Sequence, residues 1–194
     1  MRNYLVGALA VLAISATAAT AQTQAPQNPG PVIPGVCVFH NARLLAQSTA
    51  GQSLQSGMQA LTQQVRTELQ PYSDSITSEL QAIQSAGQTI PQAEQQQRVQ
   101  ALQQRVNELQ ELEQTRQVEL AYTQQQQMLA IATAVDPIIV QVYQERGCGL
   151  LVDRESVYLL NPAMDITEVV VQRLNQALPS LSFGRMTPPA QPAQ

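Results

Sequence analysis

Residues 54–83, LQSGMQALTQQVRTELQPYSDSITSELQAI, carry apolar side chains at Leu54, Met58, Leu61, Val65, Leu69, Tyr72, Ile76, Leu80 and Ile83. Steps of three and four residues place this stripe along one face of a helix. The unit recurs at 54, 65 and 76, an eleven-residue period that favours a straight or slightly right-handed helix pair over a left-handed coil. Pro71 falls inside the run, where its missing N–H is expected to kink the helix or loosen one turn. Gly87 and Pro91 mark a reversal, and Thr89 with Gln92 offers a capping box for a second helix.

That second helix carries Val99, Leu102, Val106, Leu109, Leu112, Leu120, Met128, Ile131, Val135, Ile139 and Val142, and Gly147 supplies its stop. Between Leu112 and Met128 the stripe is diluted by Glu113, Arg116, Gln124 and Gln127, so the helices are expected to hold together only loosely there. Two helices of about 45–55 residues extend about 65–80 Å. Nothing else in the chain is large enough to wrap them, so the hairpin protrudes or pairs with copies of itself.

Composition narrows the function. The 33 glutamines outnumber the charged residues, all ten basic residues are arginine, and tryptophan is absent. With only seven aromatics, a conventional enzyme with a closed pocket is disfavoured. A formal charge of −4 argues against a nucleic-acid partner.

Residues 1–21 have the order of an export signal: Arg2, an apolar run from Leu5 to Ile14, then Ala19-Thr20-Ala21, with cleavage expected after Ala21. The run is too short to span a bilayer, and no stable membrane insertion is expected. Removal of the signal leaves nine arginines against 14 acidic residues, a formal −5. The expected location is the periplasm. Residues 22–35 and 179–194 are proline-punctuated and poor in apolar residues, and read as a disordered linker and a disordered tail.

Around the hairpin (48–137), residues 36–47 and 138–178 read as one α+β body. Val36-Cys37-Val38-Phe39-His40 reads as a strand. Leu150–Asp153 and Val157–Leu160, separated by a polar turn, read as a β-hairpin; Asp165 with Glu168 opens a last helix. A body of about 50 residues has a marginal core, which points to a homo-oligomer. In an oxidising compartment Cys37 and Cys148 suggest a disulfide across the hairpin's base; two buried free thiols are the alternative. His40 fits a structural role at the strand end better than a zinc site, and Glu108, Glu111 and Glu113 fit a solvated face. No catalytic, cofactor-binding or metal residue is assigned.

Several stretches together resemble the Skp/OmpH-like periplasmic chaperones: Val36-Cys37-Val38-Phe39 ahead of the hairpin, Asp136-Pro137-Ile138-Ile139, Gly147-Cys148-Gly149-Leu150-Leu151-Val152-Asp153, and Asp165-Ile166-Thr167-Glu168-Val169 running into Arg173-Leu174-Asn175. The resemblance implies a homotrimer with a small β-rich body and helical tentacles enclosing a cavity. It implies an ATP-independent holdase for unfolded outer-membrane proteins. Met58, Leu61, Val65 and Met128 are the expected client-contacting positions. The family's best-known members are strongly basic, whereas this chain has no lysine, so electrostatic capture of clients does not carry over. Arg66, Arg98, Arg105 and Arg116 read instead as surface partners of Glu68, Glu94, Glu108 and Glu113. The rival functions are an envelope adaptor coiled coil and a hydrolase or redox enzyme acting through Cys37 and Cys148.

Overall fold

Strand β1 (Val36–Phe39) leads into a short helix α1 (Asn41–Gln47), the long helices α2 (Thr49–Ala86) and α3 (Gln92–Glu145), strand β2 (Leu150–Asp153) and a final helix α4 (Thr167–Ala177). This computed structural model describes residues 30–190. The export signal expected over 1–21 lies outside them, as do residues 22–29 of the expected linker and the last four of the tail.

α2 and α3 pack antiparallel: Arg116 reaches back to Glu68, and Arg105, earlier on α3, reaches Ser75, later on α2. α2 is one helix of 38 residues running through Pro71, and α3 one of 54 running through Pro137. α2 is thus shorter than expected from the sequence. A tight turn over Gly87–Thr89 joins them. The expected capping box does not form, because Pro91 takes the cap position of α3 and leaves Thr89 two residues too early. The Thr89 hydroxyl donates to the Ala86 carbonyl instead.

At the other end α3 stops by left-handed closure. Gly147, at φ +65°, lets its own N–H reach the Gln144 carbonyl and the Cys148 N–H reach that of Tyr143. The chain then meets its beginning: the N–H groups of Gly149 and Leu150 both donate to the Gly35 carbonyl, at 2.6 and 2.9 Å. β2 lies parallel to β1, from Val36 opposite Leu150 to Phe39 opposite Asp153. On β1's other side, Val38 bridges to Asp165 and accepts from the Ile166 N–H at 2.9 Å. Cys37 and Cys148 are bonded, with Cα atoms 5.7 Å apart.

The expected β-hairpin is not present. Residues 157–160 form no strand, since local bonds take the chain over: Asp153 accepts from the Glu155 N–H, and Arg154 donates to the Val157 carbonyl. β1, moreover, has partners on both sides already.

The core gathers Leu44 of α1, Ile131, Val135 and Val142 at the base of α3, and Ile166, Val170 and Leu174 at α4. Polar ties fix α4 upon it. Arg43 pairs with Asp165 and Glu168, the Thr167 hydroxyl accepts from the His40 N–H, Asn175 accepts from the Thr49 N–H, and Arg173 pairs with Glu145. The α1–α2 corner is tight enough to require glycine at 51, where a Cβ would lie 1.8 Å from the Leu45 carbonyl oxygen.

Residues 179–190 form no helix or strand, yet they are seated along the hairpin, which corrects the expectation of disorder for this part of the tail. Composition measured what the segment could bury by itself and missed the surface that α2 and α3 provide.

The disulfide closes a separation of 111 residues. Replacing Cys37 and Cys148 by serine is therefore expected to cost about 4–5 kcal/mol of stability, read as a lower urea midpoint with the native helical signal retained. A midpoint shift worth less than about 1 kcal/mol would show that the strand ladder and core close the base without it.

Candidate functional site

The stripe that pairs the helices is drawn from the residues whose spacing announced it. Leu61, Val65 and Ile83 are buried, so of the four positions expected to contact clients Leu61 and Val65 offer little surface in this arrangement. Met58 sits one step round the helix, beside a groove of about 700 Å³ lined also by Leu54, Thr62, Arg66 and Gln124. Met128 is 36% exposed on α3. Further apolar side chains stand out among the glutamines along the hairpin, among them Tyr72, Leu80, Val99, Val118 and Leu129.

Where the apolar stripe of α3 is diluted, the hairpin is tied by polar groups rather than loose. Arg116, Glu119, Thr123 and Gln127 follow at steps of three, four and four, and the last three are buried. Arg116 donates to Glu68 across the seam at 2.7 and 2.9 Å and to Glu119 at 2.8 Å. Arg185, from the tail, donates to Glu68 at 2.6 Å and lies 3.1 Å from Glu119. Of the four arginine–glutamate neighbours expected from sequence, Arg98 with Glu94 forms; Arg116 takes Glu68 and Glu119 in place of Glu113, and Arg105 takes Ser75. Glu119 and Thr123 went unnoticed, although helical spacing from Arg116 marks them.

On the body, Ile33, Val36, Val152, Leu159 and Met164 surround a hollow of about 520 Å³, and Tyr158, between the lining residues Val157 and Leu159 in the chain, is 94% exposed. Among the described residues, no three His, Cys, Asp or Glu side chains gather where they could hold a metal ion. His40 sits at the end of β1, ahead of α1. Cys37 and Cys148 are tied to each other, so in this state neither offers the free thiol that a nucleophilic cysteine needs.

Comparison with known proteins bears on this arrangement. A family described as outer membrane protein (OmpH-like) matches residues 35–174. A solved structure described as a candidate outer membrane chaperone (OmpH-like) from Caulobacter crescentus CB15 is similar, at 35% identity over 81% of this chain and 94% of that one, with a TM-score of 0.76. No curated protein matches the chain.

The charge cluster gives a test of its own. The guanidinium of Arg116, and after it that of Arg185, holds the Glu68 carboxyl below its ordinary pKa of 4.5, and Glu68 in turn raises Arg116. A carboxyl lowered on folding stabilises the protein above its unfolded pKa, and that stability is lost as pH falls through the lowered value. Arg116→Ala should cost about 1–3 kcal/mol at neutral pH, because it strips a charged partner from nearly buried Glu119 as well as from Glu68. The gap from the parent protein, followed by urea midpoints, should persist down to the ordinary carboxylate range and close only below it. A gap that stayed constant down to about pH 3 would mean that Arg116 acts through packing alone.

Proposed function

The chain belongs to the OmpH-like outer membrane protein family, and from that membership together with its protruding hairpin we propose that it is an ATP-independent periplasmic holdase. Three copies join through their bodies, and unfolded outer-membrane proteins are held in the space between the hairpins. The export signal read over residues 1–21 supports the location, and we read the chain as a binding protein with no catalytic residue. No helix among the described residues is long and apolar enough to cross a membrane.

The observation that carries this reading is the row of separated apolar side chains along an otherwise glutamine-rich hairpin. Val118 is 55% and Leu129 58% exposed; Gln117 precedes Val118, and the run Gln124–Gln127 lies just ahead of Met128 and Leu129. Such positions make many weak contacts with an extended apolar chain and none strong enough to trap it, as a surface with many clients requires. Holding clients this way lowers their free concentration and so slows their aggregation, without a nucleotide. Charge has a small part in it: Arg98 and Arg116 are already paired within the hairpin, and the exported chain carries a formal −5.

The body supports association of copies. A two-stranded sheet is marginal by itself, and here the outer edge of β2 and the hollow beside Tyr158 leave apolar surface uncovered. A second and third copy laid against that face would complete the core that a body this small lacks.

Light scattering of an outer-membrane barrel protein diluted out of urea tests the reading. We expect suppression by the mature chain at about one trimer per client, little changed between low and high salt. Absence of suppression at several-fold excess would refute the holdase and favour an adaptor. Suppression abolished by salt would replace apolar contact by charge as the binding force.

A further inference from the structure

Two grooves flank the seam between α2 and α3, on opposite sides of Leu61 and Val65 around the helix. One, beside Met58, is open. The other is filled by the chain's own tail, beyond the last residue of the family match.

The manner of filling is informative. Three of the contacts are made to the tail's main chain. The Leu181 N–H donates to Ser53 Oγ at 3.1 Å, Gln127 Nε2 donates to the Ser182 carbonyl at 2.8 Å, and the Met186 N–H donates to Thr123 Oγ1 at 2.9 Å. Such bonds are indifferent to which side chains the seated segment carries. Two contacts do select. The ring of Phe183 lies on Gly57, so close that a Cβ there would come within 2.4 Å of its carbons. Two residues on, Arg185 meets Glu68 and Glu119.

We propose that this strip, formed by Ser53, Gly57 and Glu68 of α2 and Glu119, Thr123 and Gln127 of α3, is a binding site for extended polypeptide carrying an aromatic residue two positions before a cation, and that the tail is a resident plug which unfolded clients displace. The inference rests on the holdase reading and specifies one of its contact sites. The plug is suited to yield, because it has no helix or strand of its own and is tethered only through the end of α4. Being tethered, it competes at a high effective concentration, so a short passing peptide loses to it. A long unfolded chain that engages the exposed apolar positions elsewhere on the hairpin gains the same advantage and can win. Polar groups buried beneath the tail, Thr123 and Gln127 among them, stay satisfied until the exchange.

The test uses the full chain with Phe183→Ala and Arg185→Ala, which unseats the plug and leaves the strip intact, and a fluorescein-labelled peptide of residues 179–190 as the probe. The double variant should bind the peptide about tenfold more tightly than the parent does, and unfolded barrel protein should displace it. Its apparent affinity for that client should rise about tenfold, the factor expected if the plug is seated about nine-tenths of the time. Adding Gly57→Ala should abolish peptide binding with the helical signal unchanged, since alanine suits a helix better than glycine. Peptide binding that the client cannot displace, in a variant that still suppresses aggregation, would overturn the proposal and make the tail a strap, with the holdase reading intact. Failure of the folded double variant to bind the peptide would also overturn it. If neither parent nor variant slowed aggregation, the holdase reading would fall, and the client's part in this site with it.

Discussion

The structure depends on one closure, the parallel pairing of β1 with β2 at the foot of the hairpin. Bringing together strands separated by over a hundred residues costs loop-closure entropy that four residue pairs in a two-stranded sheet do not recover by themselves. The bond between Cys37 and Cys148, the paired N–H groups on the Gly35 carbonyl, and the α4 ties to Arg43, His40, Thr49 and Glu145 supply the rest. Parallel strands require a crossover, and here the crossover is the whole helical hairpin. One of the stretches that suggested the family, Asp165–Asn175, turns out to be the lock on this closure: Asp165 and Thr167 hold the start of α1, Arg173 the end of α3 and Asn175 the start of α2.

The same closure explains where sequence reading succeeded and where it failed. Helical periodicity located α2 and α3, because part of each stripe is buried where the two helices pack, as Leu61, Val65 and Ile131 are. The β-branched run at Val36 and the run at Leu150 located both strands. The supposed third strand at Val157 has equally good β-propensity, but β1 is already flanked by β2 and Asp165, and short-range bonds from Asp153 and Arg154 take precedence. Thr89 satisfied a capping pattern, yet Pro91 fixed the start of α3 two residues later.

The tail and the polar part of α3 were misread for one reason, since each was judged alone. Arg116, Glu119, Thr123 and Gln127 look like a gap in an apolar seam, and Phe183 and Arg185 look like isolated residues in a proline-rich end. Together they form a joint of charges, main-chain bonds and a ring on a glycine. The spacing of the four α3 residues was legible; their partner, about sixty residues away, was not.

Function follows from what the closure leaves outside. A hairpin held at its foot presents Val118 out along its shaft and Leu129 just above the body, while the body leaves an apolar hollow exposed. The most direct measurement places a photo-crosslinking side chain at Leu129 on the hairpin, or at Tyr158 on the body, in the presence of an unfolded outer-membrane barrel protein. Capture of the client from position 129 and of a second copy of the chain from position 158 is the expected result. Capture of the client from 158 alone would put the binding surface on the body and contradict the hairpin holdase.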